Sequence, residues 1–167
     1  MWIWILVILA SVAVDQVTKQ LAVRFLAEGN SVEVIPGIFR FTYVENRGAA
    51  FGMLADHRWV FMIISTVAIA ALLVYLWKFR PASKWACVAL SLIIGGGIGN
   101  MIDRVALGYV VDMFDLLLFE YPVFNLADCF VVVGAILGSI YYLWLYEKYD
   151  APKKESADGT EDPADHN

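Results

Sequence analysis

The sequence predicts an all-α polytopic membrane protein: four transmembrane helices, with a small extracytoplasmic β-hairpin or sheet between the first and second. Three observations carry this. Sixty per cent of the 167 residues are apolar and only 17% are charged, against roughly a quarter charged in a soluble domain. The apolar residues fall in long continuous runs, the pattern of membrane spans. The one long stretch between the first two runs alternates polar and apolar residues around a Pro-Gly pair, the pattern of a hairpin.

The spans are read at about 2–26, 59–77, 85–102 and 127–146. Each is close to the roughly 20 residues that cross about 30 Å of hydrocarbon. Tryptophans and tyrosines stand at several ends (Trp2, Trp4, Trp59, Tyr75, Trp77, Trp85, Tyr146), as interfacial anchors do. The first run, Trp2 to Val14, could serve as the core of a signal peptide, with Ser11-Val12-Ala13 as a small-residue cleavage site. No Lys or Arg precedes it, however, and its apolar face continues past Asp15 through Val17, Leu21, Val23 and Phe25. An uncleaved span is therefore expected.

An even number of spans puts both termini on one side. Lys78, Arg80 and Lys84 crowd one short loop, which favours cytoplasmic termini. The β region, about residues 30–57, then lies outside. Ser31 to Ile35 and Ile38 to Val44 read as two short strands around Pro36-Gly37. A hairpin with open edges cannot sit in lipid, so it belongs at the outer surface. Residues 1–150 are expected to form one four-helix membrane domain, and 151–167 a disordered, acidic cytoplasmic tail. Five acids of that tail (Glu155, Asp158, Glu161, Asp162, Asp165) account for much of the net charge of −5, leaving the body nearly neutral.

Several function classes are excluded. No basic cluster suggests a nucleic-acid partner. Cys87 and Cys129 lie inside apolar runs and read as free buried thiols. No metal-ligand spacing exists around them or around His57 and His166, so no metal or cofactor is expected. The Gly95-Gly96-Gly97-Ile98-Gly99 run has neither a preceding strand nor the pattern of a nucleotide loop. Gly95 and Gly99 instead make a small-xxx-small face on which another helix can pack closely.

The polar residues that remain gather at span ends. Asp112 (among Val110, Val111, Met113 and Phe114) and Asp128 (beside Cys129 and Phe130) are carboxylates set in apolar surroundings, sixteen positions apart. An acid at the edge of hydrocarbon is costly and marks function by default. Two that meet cannot both ionise and form an apparatus for general acid–base hydrolysis. Asp115 and Glu120 read as surface acids of the same loop. Asn125 and Asp128, three apart at the start of the fourth span, also suit helix capping. Asn100, Asp103 and Arg104 share one face of the third span. Asn46 and Gly48 head a small-residue loop, where Asn46 offers an amide to a bound peptide. Asp15 and Lys19 form an i, i+4 pair in the first span; the alternatives are a structural ion pair and an Asp15 that orients a loop near the site.

Five stretches carry a resemblance: Asp15-Gln16-Val17-Thr18-Lys19, Asn46 to Gly52, Gly99 to Arg104, Val110-Val111-Asp112 and Phe124 to Asp128. Together and in this order they resemble bacterial lipoprotein signal peptidase, or signal peptidase II. The resemblance implies a four-span aspartic endopeptidase of the bacterial inner membrane, with its site toward the extracytoplasmic face. It implies prolipoprotein substrates, cut just before a cysteine that already carries diacylglycerol, and membrane lipid and globomycin-type inhibitors as further partners. The family's catalytic aspartates fall on Asp112 and Asp128. Its supporting polar residues fall on Asn46, Gly48, Asn100, Arg104 and Asn125, with Asp15 as a further family position. Two other classes compete: a small transporter using Asp15, Asp112 and Asp128 as a proton path, and a structural four-span scaffold. The first requires acids spread through the membrane, and the second leaves the Asn and Asp at span ends without a role.

Overall fold

A computed structural model of the chain describes residues 2–27, 29–48, 58–79 and 81–151. The elements run α1 (Ile3–Leu26), β1 (Val32–Ile35), β2 (Phe39–Asn46), α2 (Arg58–Phe79), α3 (Lys84–Ala106), β3 (Val110–Leu116), α4 (Leu126–Trp144) and a last turn α5 (Tyr146–Tyr149). Four helices are thus long and apolar enough to cross a membrane. The chain is a multi-pass membrane protein, mostly helical, with one small sheet. The expected acidic tail and most of the loop before α2 lie outside the described residues.

Helix α3 is the hub and packs against α1, α2 and α4. Its glycines are why. A methyl group at Gly95 would lie 2.7 Å from Ser11 Cβ on α1, and one at Gly96 would overlap the Ala127 carbonyl of α4. Gly134 answers from α4, where a Cβ would lie 2.6 Å from the Ala89 carbonyl of α3. In lipid such close backbone approach replaces the hydrophobic drive of soluble cores. Helix α2 differs: it packs mainly on α3 and exposes Ile63, Ile64, Val67 and Val74 along its length.

The hairpin forms over the expected residues, with Gly37 at φ +71° in the turn. What the alternation did not announce is a third strand. β3 pairs antiparallel with β2, in the order β1-β2-β3. Both faces of β3 are covered, Val110, Val111, Asp112 and Met113 all being buried, so its sequence shows no polar-apolar period of two. Its other edge bridges Phe124: the Met113 and Phe114 N–H groups donate to the Phe124 carbonyl at 3.0 and 2.8 Å, and the Phe124 N–H returns to Phe114 O at 3.1 Å. Ala22 and Leu26 of α1 pack on Val111 and Met113 beneath the sheet. Asp115 is corrected by this strand. It is buried and pairs with Arg40 across the sheet at 2.7 Å, while Glu120 is exposed. The two cysteines are free and half-buried.

Candidate active site

The candidate site residues Asp15, Lys19, Asn46, Gly48, Asn100, Arg104, Asp112, Asn125 and Asp128 come to one place, where the sheet meets the ends of α3 and α4. Asp112 arrives on β3. Asp128 arrives in the first turn of α4, because Phe124 is pinned to β3 and the helix starts two residues later, at Leu126. Asn125 caps that helix: its Oδ1 accepts the Asp128 N–H at 3.0 Å, and Asp128 Oδ2 accepts the Asn125 N–H at 3.1 Å. This reciprocal box satisfies N–H groups that the first helical turn would otherwise leave bare. The capping reading is therefore realised by this pair.

Asn125 also faces the other acid. Its Nδ2 donates to Asp112 Oδ1 at 2.6 Å and to Asn100 Oδ1 at 3.0 Å. Asn46, at the end of β2, donates to the second Asp112 oxygen at 2.8 Å. The Gly48 N–H binds Asn46 Oδ1 at 3.1 Å, which turns the NH2 of that amide toward Asp112. Asn100 of α3 donates to Asp128 Oδ1 at 2.8 Å. Arg104, one turn on, donates to the Asn100 carbonyl at 3.3 Å and lies within electrostatic reach of Asp128 and Asp112. Burial pushes the Asp112 carboxyl up to about 6, and the charge of Asp128 adds to this against the bonds from Asn46 and Asn125.

Beneath the two acids lies a buried ionic cluster. Asp15 and Lys19 pair at 2.9 Å, and Asp103 joins them, 3.0 Å from the same ammonium. Gln16 donates to Asp103 Oδ1 at 2.9 Å and to the Gly99 carbonyl at 3.2 Å. The sequence reading placed Asp103 on the Asn100 face but gave neither it nor Gln16 a role. The available signal was that face, one turn of α3 carrying Asn100, Asp103 and Arg104 together. A Cβ at Gly99 would overlap the Asp15 carboxylate, so this glycine is what lets the cluster sit against α3.

Among the described residues no group of His, Cys, Asp and Glu is arranged to hold a metal ion. What the site presents is two carboxylates joined through one asparagine, amide donors on both, and a guanidinium nearby.

Comparison with known proteins gives this arrangement a lineage. The family described as "Signal peptidase (SPase) II" matches residues 7–144. The chain belongs to the signal peptidase II family. It is similar to the lipoprotein signal peptidase of Halothermothrix orenii, 46% identical over 86% of this chain and 96% of that one. It is also similar to the lipoprotein signal peptidase of Streptococcus thermophilus, 44% identical over 84% and 91% of the two chains. Two solved structures described as "Bacterial membrane enzyme structure by the in meso method", at 2.3 and 1.9 Å resolution, superpose with TM-scores of 0.75 and 0.77. They share 35% and 37% identity, and cover 91% and 84% of this chain and 93% and 92% of their own. Signal peptidase II membership makes this multi-pass membrane protein a peptidase.

Proposed function

We propose that this peptidase is an aspartic endopeptidase that removes the signal peptide from diacylglyceryl-modified prolipoproteins, cutting before the lipidated cysteine. The observation that carries the reading is Asn125, bonded at once to Asp112 through its side chain and to Asp128 through its backbone. Two carboxylates held by one residue share protons as a pair. In the mechanism that follows, one is ionised and takes a proton from a water between them, while the other is protonated and polarises the scissile carbonyl. The oxyanion and the substrate backbone then meet the amides of Asn46 and Asn100 and the guanidinium of Arg104. Asp15 and Lys19 support the dyad from below.

The setting suits an anchored substrate. The acids lie where apolar helices meet the sheet, so acyl chains stay in lipid while the peptide next to the cysteine reaches the dyad. The reading includes a location in the bacterial inner membrane, with termini cytoplasmic and the site toward the extracytoplasmic face, as the crowding of Lys78, Arg80 and Lys84 in one short loop favours. A globomycin-type cyclic peptide would bind against the same two carboxylates. Residues 1–150 act as one peptidase domain.

The test is cleavage of a diacylglyceryl-modified prolipoprotein by purified protein in lipid. Asp112→Asn and Asp128→Asn should each abolish turnover while remaining folded. Turnover at the wild-type rate in either variant would remove the dyad.

A further inference from the structure

The residue just before each proposed catalytic aspartate is held by a buried acid. Asp15 Oδ1 accepts the N–H of Ala127 at 2.9 Å, and Asp103 Oδ2 accepts the N–H of Val111 at 3.0 Å. Ala127 precedes Asp128, and Val111 precedes Asp112. The two anchoring acids come from different helices, α1 and α3, and a single ammonium joins them: Lys19 Nζ lies 2.9 Å from Asp15 Oδ2 and 3.0 Å from Asp103 Oδ2. Its remaining contact is Asn100 Oδ1 at 2.8 Å. That amide, with its oxygen drawn to the ammonium, must turn its NH2 away, and the NH2 binds Asp128 Oδ1 at 2.8 Å.

An ammonium has three donors and no acceptor. Here the three meet three acceptors, and each acceptor leads in one step to a dyad residue or to its immediate neighbour in the chain. Lys19 is only 2% exposed and Asp15 is fully buried, so water does not substitute for these bonds. The bland account is a counter-ion: two buried acids need a positive charge, and any lysine would serve. It does not explain the third bond. A counter-ion has no need to orient the Asn100 amide, nor to tie together the two carboxylates that anchor Val111 and Ala127.

We propose that Lys19 is a positioning residue, whose ammonium sets the separation and orientation of Asp112 and Asp128 through Asp15, Asp103 and Asn100. The inference rests on the dyad reading above and deepens it. Lys19 does not reach the substrate. It fixes where the reacting carboxylates stand, and errors of about 1 Å in such placement cost on the order of 10²-fold in rate.

The test separates charge balance from placement. Lys19→Met removes the ammonium and leaves two buried acids uncompensated. Lys19→Met/Asp103→Asn restores the wild-type charge of the cluster, and an Asn at 103 still offers its oxygen to the Val111 N–H. Turnover of a diacylglyceryl-modified prolipoprotein and thermal unfolding are measured for both, beside Asp112→Asn and Asp128→Asn. Placement predicts that the double variant unfolds near the wild-type temperature yet loses kcat by about 10²-fold, with KM within about threefold. A double variant that regains kcat to within about threefold of wild type overturns the inference, because Lys19 then only balances charge. A double variant that stays unfolded overturns it too, since the loss is then one of stability. In either case inactive Asp112→Asn and Asp128→Asn leave the dyad standing, whereas active ones remove the dyad itself.

Discussion

Asn125 and Asp128 cap each other across the first turn of α4, at 3.0 and 3.1 Å, while the Asn125 amide also reaches Asp112 at 2.6 Å. One side chain thus starts a helix and joins two acids. Asn125→Ser separates the two jobs. A serine caps well, so the cap is kept, but it has no NH2 for Asp112. A bond to a charged acceptor is worth about 1.5–3 kcal/mol, so activity should fall by roughly 10- to 100-fold. Asn125→Ala loses the cap as well and should unfold about 1 kcal/mol more easily than the serine variant. Chemical unfolding in mixed micelles beside a turnover assay checks both halves.

Asp112 should titrate with a midpoint of about 6, pushed up first by burial and then by the Asp128 charge. A carboxyl raised in the folded state favours folding while it is protonated. Its contribution is therefore lost as pH rises from the ordinary value of 3.8 through about 6. Infrared titration of ¹³C-aspartate-labelled protein, taken as the difference from labelled Asp112→Asn, reads this carboxyl. In Asp128→Asn the neighbouring charge is gone, and the Asp112 midpoint should move to lower pH. An unchanged midpoint would mean that the two acids do not sense each other.

Arg104→Lys should lower turnover by about tenfold or more while leaving the fold intact. The guanidinium is planar and presents a fixed fork of donors, which a lysine cannot copy. Here that fork binds the Asn100 carbonyl and lies within reach of both acids. Full activity in the lysine variant would show that only the charge matters.

Gly99→Ala should destabilise the protein by about 1–3 kcal/mol, the usual cost of overpacking, because the new methyl overlaps the Asp15 carboxylate. Gly138→Ala is the control. Its methyl would meet only Ala89 Cβ, at 3.9 Å, and alanine gains up to about 1 kcal/mol of helix propensity. Unfolding of the two variants side by side should move in opposite directions.

The spans were legible because lipid imposes length and composition on them, and α1 and α3 begin within a residue of where the sequence placed them. The hairpin was legible because its sequence alternates polar and apolar residues around Pro36-Gly37. β3 was not, since both of its faces are covered and burial erases the period that marks a strand. For the same reason Asp115 reads as a surface acid until β2 is laid beside it and Arg40 is seen opposite. Within the site, Asn100, Asn125 and the two aspartates stood out as polar groups in apolar company, and Asn46 as an amide in the polar head of a small-residue loop. The joining of Gln16 to Asp103 did not, because those partners lie 87 positions apart and only the packing of α1 on α3 brings them together.

One consequence follows from how α2 sits. The site draws on α1, β2, α3, β3 and α4, and among the described residues α2 adds no polar group to it. Its described side chains face outward or pack on α3, apart from contacts such as that of Leu76 with Ile8 of α1. In lipid, apolar side chains of similar size are nearly interchangeable, so α2 is specified by composition, whereas α3, with its glycines and Asn100, is specified by identity. Drift among relatives should therefore be uneven: freely shuffled letters of one alphabet along α2, and near silence along the glycine face of α3.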